Sequence, residues 1–151
     1  MEKTPPKGSV IINVNVTPGK EVAEKCVEVS QSLKSDGTMF VLDGKTKFPH
    51  MTVFMFRVPV DSIPNVVAAV EKVVVGVESF SCQQVGDLMT KGRYFEVSYE
   101  KSPAFVALHE KLIEALKDYR INPGNPYEEG YFTPYDEAQQ RNAQETGYDL
   151  A

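Results

Sequence analysis

The sequence predicts an α+β fold, with antiparallel sheets and helices packed outside them, and three observations lead there. The runs Ser9 to Val16 and His50 to Phe56 alternate with the two-residue period of a half-buried strand. The stretches Lys20 to Leu33, Asp61 to Val74 and Ser102 to Leu116 instead place apolar side chains at steps of three and four, the period of a helix that buries one face. Glycine and proline gather at the joints between these runs, where the chain must turn.

Composition narrows the class further. A chain of 151 residues with 42% apolar content is long enough for one buried core, so residues 1–151 read as a single domain, with 122–151 as an aromatic loop and tail. Sixteen basic side chains stand against 21 acidic ones, and a net charge of -5 argues against a strong electrostatic grip on long nucleic acid. A small nucleotide or an RNA end stays within reach. Cys26 and Cys82 lie far apart, and only His50 and His109 could supply imidazole, so neither a metal nor a cofactor is expected. The N-terminus has no apolar core after its charges and no run of 18 apolar residues occurs, so the expectation is a soluble, cytoplasmic protein that avoids membranes.

In chain order, Val10, Ile12, Val14 and Val16 form the more apolar side of the first strand, and Thr17-Pro18-Gly19 ends it. Val22, Cys26, Val29 and Leu33 make the inner stripe of the first helix, in which Cys26 reads as a buried thiol with no chemistry. A short extended piece is expected at Met39 to Leu42, followed by a turn at Asp43-Gly44. Asp61-Ser62 caps a second helix with Pro64 in its first turn and an inner stripe of Ile63, Val66, Val67, Val70, Val73 and Val74, and Gly76 breaks it. Two strands follow, Val77 to Met89 and Arg93 to Glu100, joined around Thr90-Lys91-Gly92. Ser102-Pro103 opens a third helix whose stripe is Phe105, Leu108, Leu112 and Leu116. His109 falls within that stripe and reads as packed against the core. Beyond Asn122, the residues Tyr127, Tyr131, Phe132 and Tyr135 crowd a loop that reads as a plug for the side of the domain, with a lid over a base or ribose as the alternative, and Tyr135 to Ala143 suggests a short polar helix.

Chemistry concentrates in Lys47-Phe48-Pro49-His50-Met51-Thr52-Val53-Phe54-Met55-Phe56. Alternation sets His50, Thr52, Phe54 and Phe56 on one side, so an imidazole and a hydroxyl project together. Imidazole moves a proton near neutrality, and a threonine hydroxyl donates to a non-bridging phosphate oxygen. The plainer alternative is a strand histidine satisfied by a neighbour. Lys91, Arg93 and Arg57 are further phosphate candidates, read more simply as solvated surface charge.

The Pro49-His50-Met51-Thr52-Val53 strand, the helix and two strands after it, and the helix Phe105-Val106-Ala107-Leu108-His109-Glu110-Lys111-Leu112 together resemble the two-histidine phosphoesterases, among them the 2'-5' RNA ligase-like proteins and cyclic phosphodiesterases. The resemblance covers roughly Val10 to Leu116. It implies a bilobal fold in which each lobe offers one His-x-Thr or His-x-Ser strand to a phosphate-binding cleft. His50 would then be one of two acid–base catalytic residues and Thr52 a phosphate donor. The implied enzyme is a hydrolase acting without metal on 2',3'-cyclic phosphates or 2'-5' linkages of an RNA end or small nucleotide, or running the reverse ligation.

One departure stands out: no second His-x-Thr or His-x-Ser occurs before Ala151, so the second lobe is expected to be incomplete. A chain that continues beyond Ala151, a partner chain that completes the lobe, and a relative that binds without turnover each account for it. The rival from another class is a noncatalytic phosphate-binding or interaction module on a ferredoxin-like scaffold.

Overall fold

In the computed structural model the described residues are 8–36, 38, 40–91, 94–121, 137–138 and 141–142, and they form an α+β fold. Strand β1 (Ser9–Val16) pairs with β2 (Met51–Pro59) in one two-stranded sheet. Strands β3 (Gln84–Lys91) and β4 (Tyr94–Tyr99) form a second, antiparallel one. The helices are α1 (Lys20–Ser32), α2 (Ile63–Val74) and α3 (Pro103–Leu116). Contacts divide the chain into two units, Asn13–Val53 and Met1–Ile12 with Phe54–Ala151.

The larger unit holds most of the core. Phe54, Phe56 and Val58 of β2 are buried with Val66 of α2 and Leu108, Leu112 and Leu116 of α3. Each such side chain contributes roughly 1.5–3 kcal/mol on leaving water. The α3 stripe is the one its spacing predicts, and α2 packs on α3. Ser102 starts α3 as expected: its hydroxyl accepts the Phe105 N–H at 3.3 Å, meeting one orphan donor of the first turn, and Pro103 needs no partner there. After α3 and a short 3-10 turn over Lys117–Tyr119, the Ile121 N–H donates to the Arg57 carbonyl at 2.9 Å, which lays the chain against β2.

Four expectations need correction. The piece Met39 to Leu42 forms no strand over its described residues 40–42, because α1 side chains take its polar groups: Ser30 Oγ accepts the Leu42 N–H at 2.9 Å and Gln31 Nε2 donates to the Leu42 carbonyl at 2.5 Å. The strand expected from Val77 begins only at Gln84. Its partner β4 ends at Tyr99, which faces Gln84, and one further backbone bond, from the Glu100 N–H to the Gln83 carbonyl at 2.9 Å, closes the pairing there. On α2, Val67 and Val74 are exposed although the periodicity counted them inward, since a helix apolar on several sides can turn only one toward α3. On α1, Val22 is exposed and Cys26 is half-buried rather than buried.

The expected glycine break is present: Gly76 adopts φ +77 just past α2, a conformation that costs glycine no steric strain. Residues 137–138 and 141–142 are helical, within the polar helix expected at Tyr135 to Ala143. Tyr127, Tyr131, Phe132 and Tyr135, like Gly92 and Arg93, lie outside the described residues. Among the described residues no helix is long and apolar enough to cross a membrane.

Candidate active site

The approach to β2 is a turn built around one carboxylate. Asp43 Oδ1 accepts the N–H groups of Lys45, Thr46 and Lys47 at 2.7, 2.8 and 2.9 Å, and Oδ2 accepts the Thr46 hydroxyl at 2.5 Å. The Asp43 and Gly44 N–H groups both donate to the Lys47 carbonyl, and Gly44 takes φ +73, which a side chain would resist. The Thr46 hydroxyl, followed by the Lys47 and Lys45 amides, holds the Asp43 carboxyl well below its ordinary value of 3.8. A carboxyl lowered in the folded state stabilises the turn fully above 3.8, and that contribution is lost only as the pH falls toward the lowered value. The amide NMR signals of Lys45, Thr46 and Lys47 are therefore expected to stay constant from neutrality down through pH 3.8 and to move in stronger acid. A transition centred at 3.8 would mean that the carboxylate is not held.

Phe48, Pro49 and His50 follow that turn, and β2 begins one residue later than the histidine. His50 is exposed, Thr52 is half-buried, and Val53, Phe54, Phe56 and Val58 are buried. The His50 Nδ1–H donates to the Phe48 carbonyl at 3.0 Å. A carbonyl can only accept, so Nδ1 carries a proton, and in the neutral ring Nε2 holds the lone pair, with no protein partner among the described residues. The Phe48 ring lies 5.6 Å from the imidazole, tilted by 59°.

Thr52 gains a partner that motif reading did not single out. Asn13 Nδ2 donates to Thr52 Oγ1 at 3.2 Å, occupying an acceptor site of the hydroxyl while leaving its O–H free to donate. The signal was present in the sequence: Asn13 and Asn15 stand on the polar side of the first strand, the neighbour of β2 in the sheet. An exposed imidazole and, two residues on, a hydroxyl with a donor to spare are groups that can take a proton from a nucleophile and bind a phosphate oxygen.

The other candidates make contacts of their own. His109 is half-buried on α3 with its ring edge-on to Phe54 at 6.1 Å and 82°, as a histidine packed against apolar neighbours. Arg57 donates to Ser9 Oγ at 3.3 Å. The Lys91 side chain and Arg93 lie outside the described residues. A cavity of about 430 Å³ lies beside α2 and the end of α3, lined by Ala68, Ala69, Val73 and Ala115 with Asn65, Lys72 and Tyr119. It holds neither imidazole nor carboxylate. Among the described residues no group of three or more His, Cys, Asp or Glu is gathered to hold a metal ion.

An α+β protein with one exposed His-x-Thr at the start of a strand is the class that fold and site define. Residues 42–146, more than half of the chain, match the 2'-5' RNA ligase superfamily, and the chain belongs to it. The match takes in the Asp43 turn, His50, Thr52, α2, β3, β4 and α3, and leaves β1 and α1 outside. No curated protein and no solved structure matches the chain.

Proposed function

We propose that the protein is a phosphoesterase of the 2'-5' RNA ligase-like type, acting on a 2',3'-cyclic phosphate or a 2'-5' linkage of an RNA end or small nucleotide. The observation that carries this reading is the exposed imidazole with Nδ1 fixed on the Phe48 carbonyl, two residues from a hydroxyl held by Asn13. In hydrolysis Nε2 takes a proton from water as its oxygen attacks phosphorus, and Thr52 donates to a non-bridging oxygen. The bond to the ribose 2' or 3' oxygen then breaks, and that oxygen needs a proton from an acid on the opposite side. The sequence has no second His-x-Thr or His-x-Ser, so the proposal includes a partner segment or second copy that brings the acid.

The His50 ring signals in NMR are expected to move on addition of inorganic phosphate or adenosine 2',3'-cyclic phosphate, with the nucleotide opened to a monophosphate. Movement without turnover, once a segment or copy carrying the acid is supplied, leaves the noncatalytic phosphate-binding module. A ring that ignores both ligands removes either reading.

A further inference from the structure

Two exposed aromatic rings stand out, Phe48 beside His50 and Phe40 beside Lys47. Phe40 is 60% exposed and Phe48 is 38% exposed, in a chain that otherwise buries the large rings of β2 to within 2%. They stand in a charged and preorganised setting. Lys47 Nζ sits 5.5 Å from the centre of the Phe40 ring, a cation–π distance, and the Phe48 ring lies 5.6 Å from that of His50. Lys47 and Phe48 follow directly from the turn that Asp43 ties, so their backbone is fixed before any ligand arrives. The Asp43 carboxylate spends its acceptors inside that turn, while Lys45 and Lys47 stay exposed.

We infer that Phe48, supported by Phe40 and Lys47, stacks the base attached to the phosphate that His50 and Thr52 receive. The inference rests on the function proposed above and adds a specificity to it: the ligand carries an aromatic base, so a phosphorylated sugar without one binds poorly. Ring-on-base stacking is tolerant of sequence and is strengthened by a nearby cation, which suits a purine or pyrimidine placed one ribose away from its cyclic phosphate. Phe48 is the specificity-determining residue, since its ring adjoins the imidazole; Phe40 and Lys47 extend the platform.

Calorimetric titration of the whole 151-residue chain tests this with four probes: adenosine 2',3'-cyclic phosphate, a four-nucleotide oligoadenylate ending in a 2',3'-cyclic phosphate, ribose 5-phosphate and inorganic phosphate. Phe48→Leu is expected to weaken both base-bearing probes by at least about 5-fold, the lower end of what losing one stacked base costs. It should leave ribose 5-phosphate and inorganic phosphate unchanged, and Phe48→Tyr, which keeps a ring, should retain base-dependent affinity. The tighter of the two base-bearing probes names the source, a free nucleotide or an RNA end. If His50 responds to inorganic phosphate while Phe48→Leu binds both base-bearing probes as the wild type does, the platform is overturned and the proposed function stands. If no probe binds and the His50 ring ignores phosphate, both fall together.

Discussion

His50→Ala is expected to lower the opening of adenosine 2',3'-cyclic phosphate by roughly 10²- to 10⁴-fold, the usual share of one positioned acid–base group. The side chain is exposed and its described contacts are the Phe48 carbonyl and ring, so its removal should change folding stability by no more than about 0.5 kcal/mol. A substitution that erases turnover and leaves the urea midpoint in place separates chemistry from structure. His50→Asn sharpens the comparison. Its amide can still donate to the Phe48 carbonyl but cannot shuttle a proton at neutral pH, so it should be as impaired as alanine. Turnover in His50→Ala equal to wild type would remove His50 from the reaction.

Phe54→Ala should have the largest effect on stability, a loss of about 3–5 kcal/mol. Phe54 is fully buried, its ring stacks on Phe56 with centroids 4.6 Å apart and 17° between planes, and the His109 ring meets it edge-on. Removing it deletes the apolar transfer and leaves a void between an aromatic neighbour and α3, which close packing cannot fill without moving β2 or the helix. Against a total stability of ~5–15 kcal/mol for a domain, the variant should unfold at much lower urea. Val75→Ala, at a position 80% exposed, serves as the control and should leave the midpoint within error. A Phe54→Ala midpoint equal to that of the control would mean that β2 is not central to the core.

The elements with a single apolar side were the most legible in the sequence. The extent of β1, Ser9–Val16, is where alternation put it, and the α3 stripe is where three-four spacing put it, because one period there leaves one consistent inner face on the helix. The helix α2 was read correctly in extent but not in orientation. Valines at 66, 67, 70, 73 and 74 satisfy more than one inner stripe, and the choice is made by α3, which local sequence does not contain. The start of β3 was set by the length of its partner, again a nonlocal fact.

At the site, the His-x-Thr spacing was legible as a motif, and Asn13, 39 positions away from Thr52, emerged only through strand pairing. The Asp43 turn was visible as a turn but not as a hub. Its hydrogen bonds depend on the positions of three consecutive amides that no motif encodes.

That hub bears on how the protein ages. An aspartate followed by glycine can cyclise to a succinimide and reopen as isoaspartate, a reaction in which the glycine nitrogen attacks the side-chain carbon of a protonated acid. Here the Gly44 nitrogen is committed to the Lys47 carbonyl and the carboxyl is kept ionised by its donors. The folded chain thus shields the Asp43-Gly44 link, seven residues before His50, and unfolding opens it to slow chemical damage.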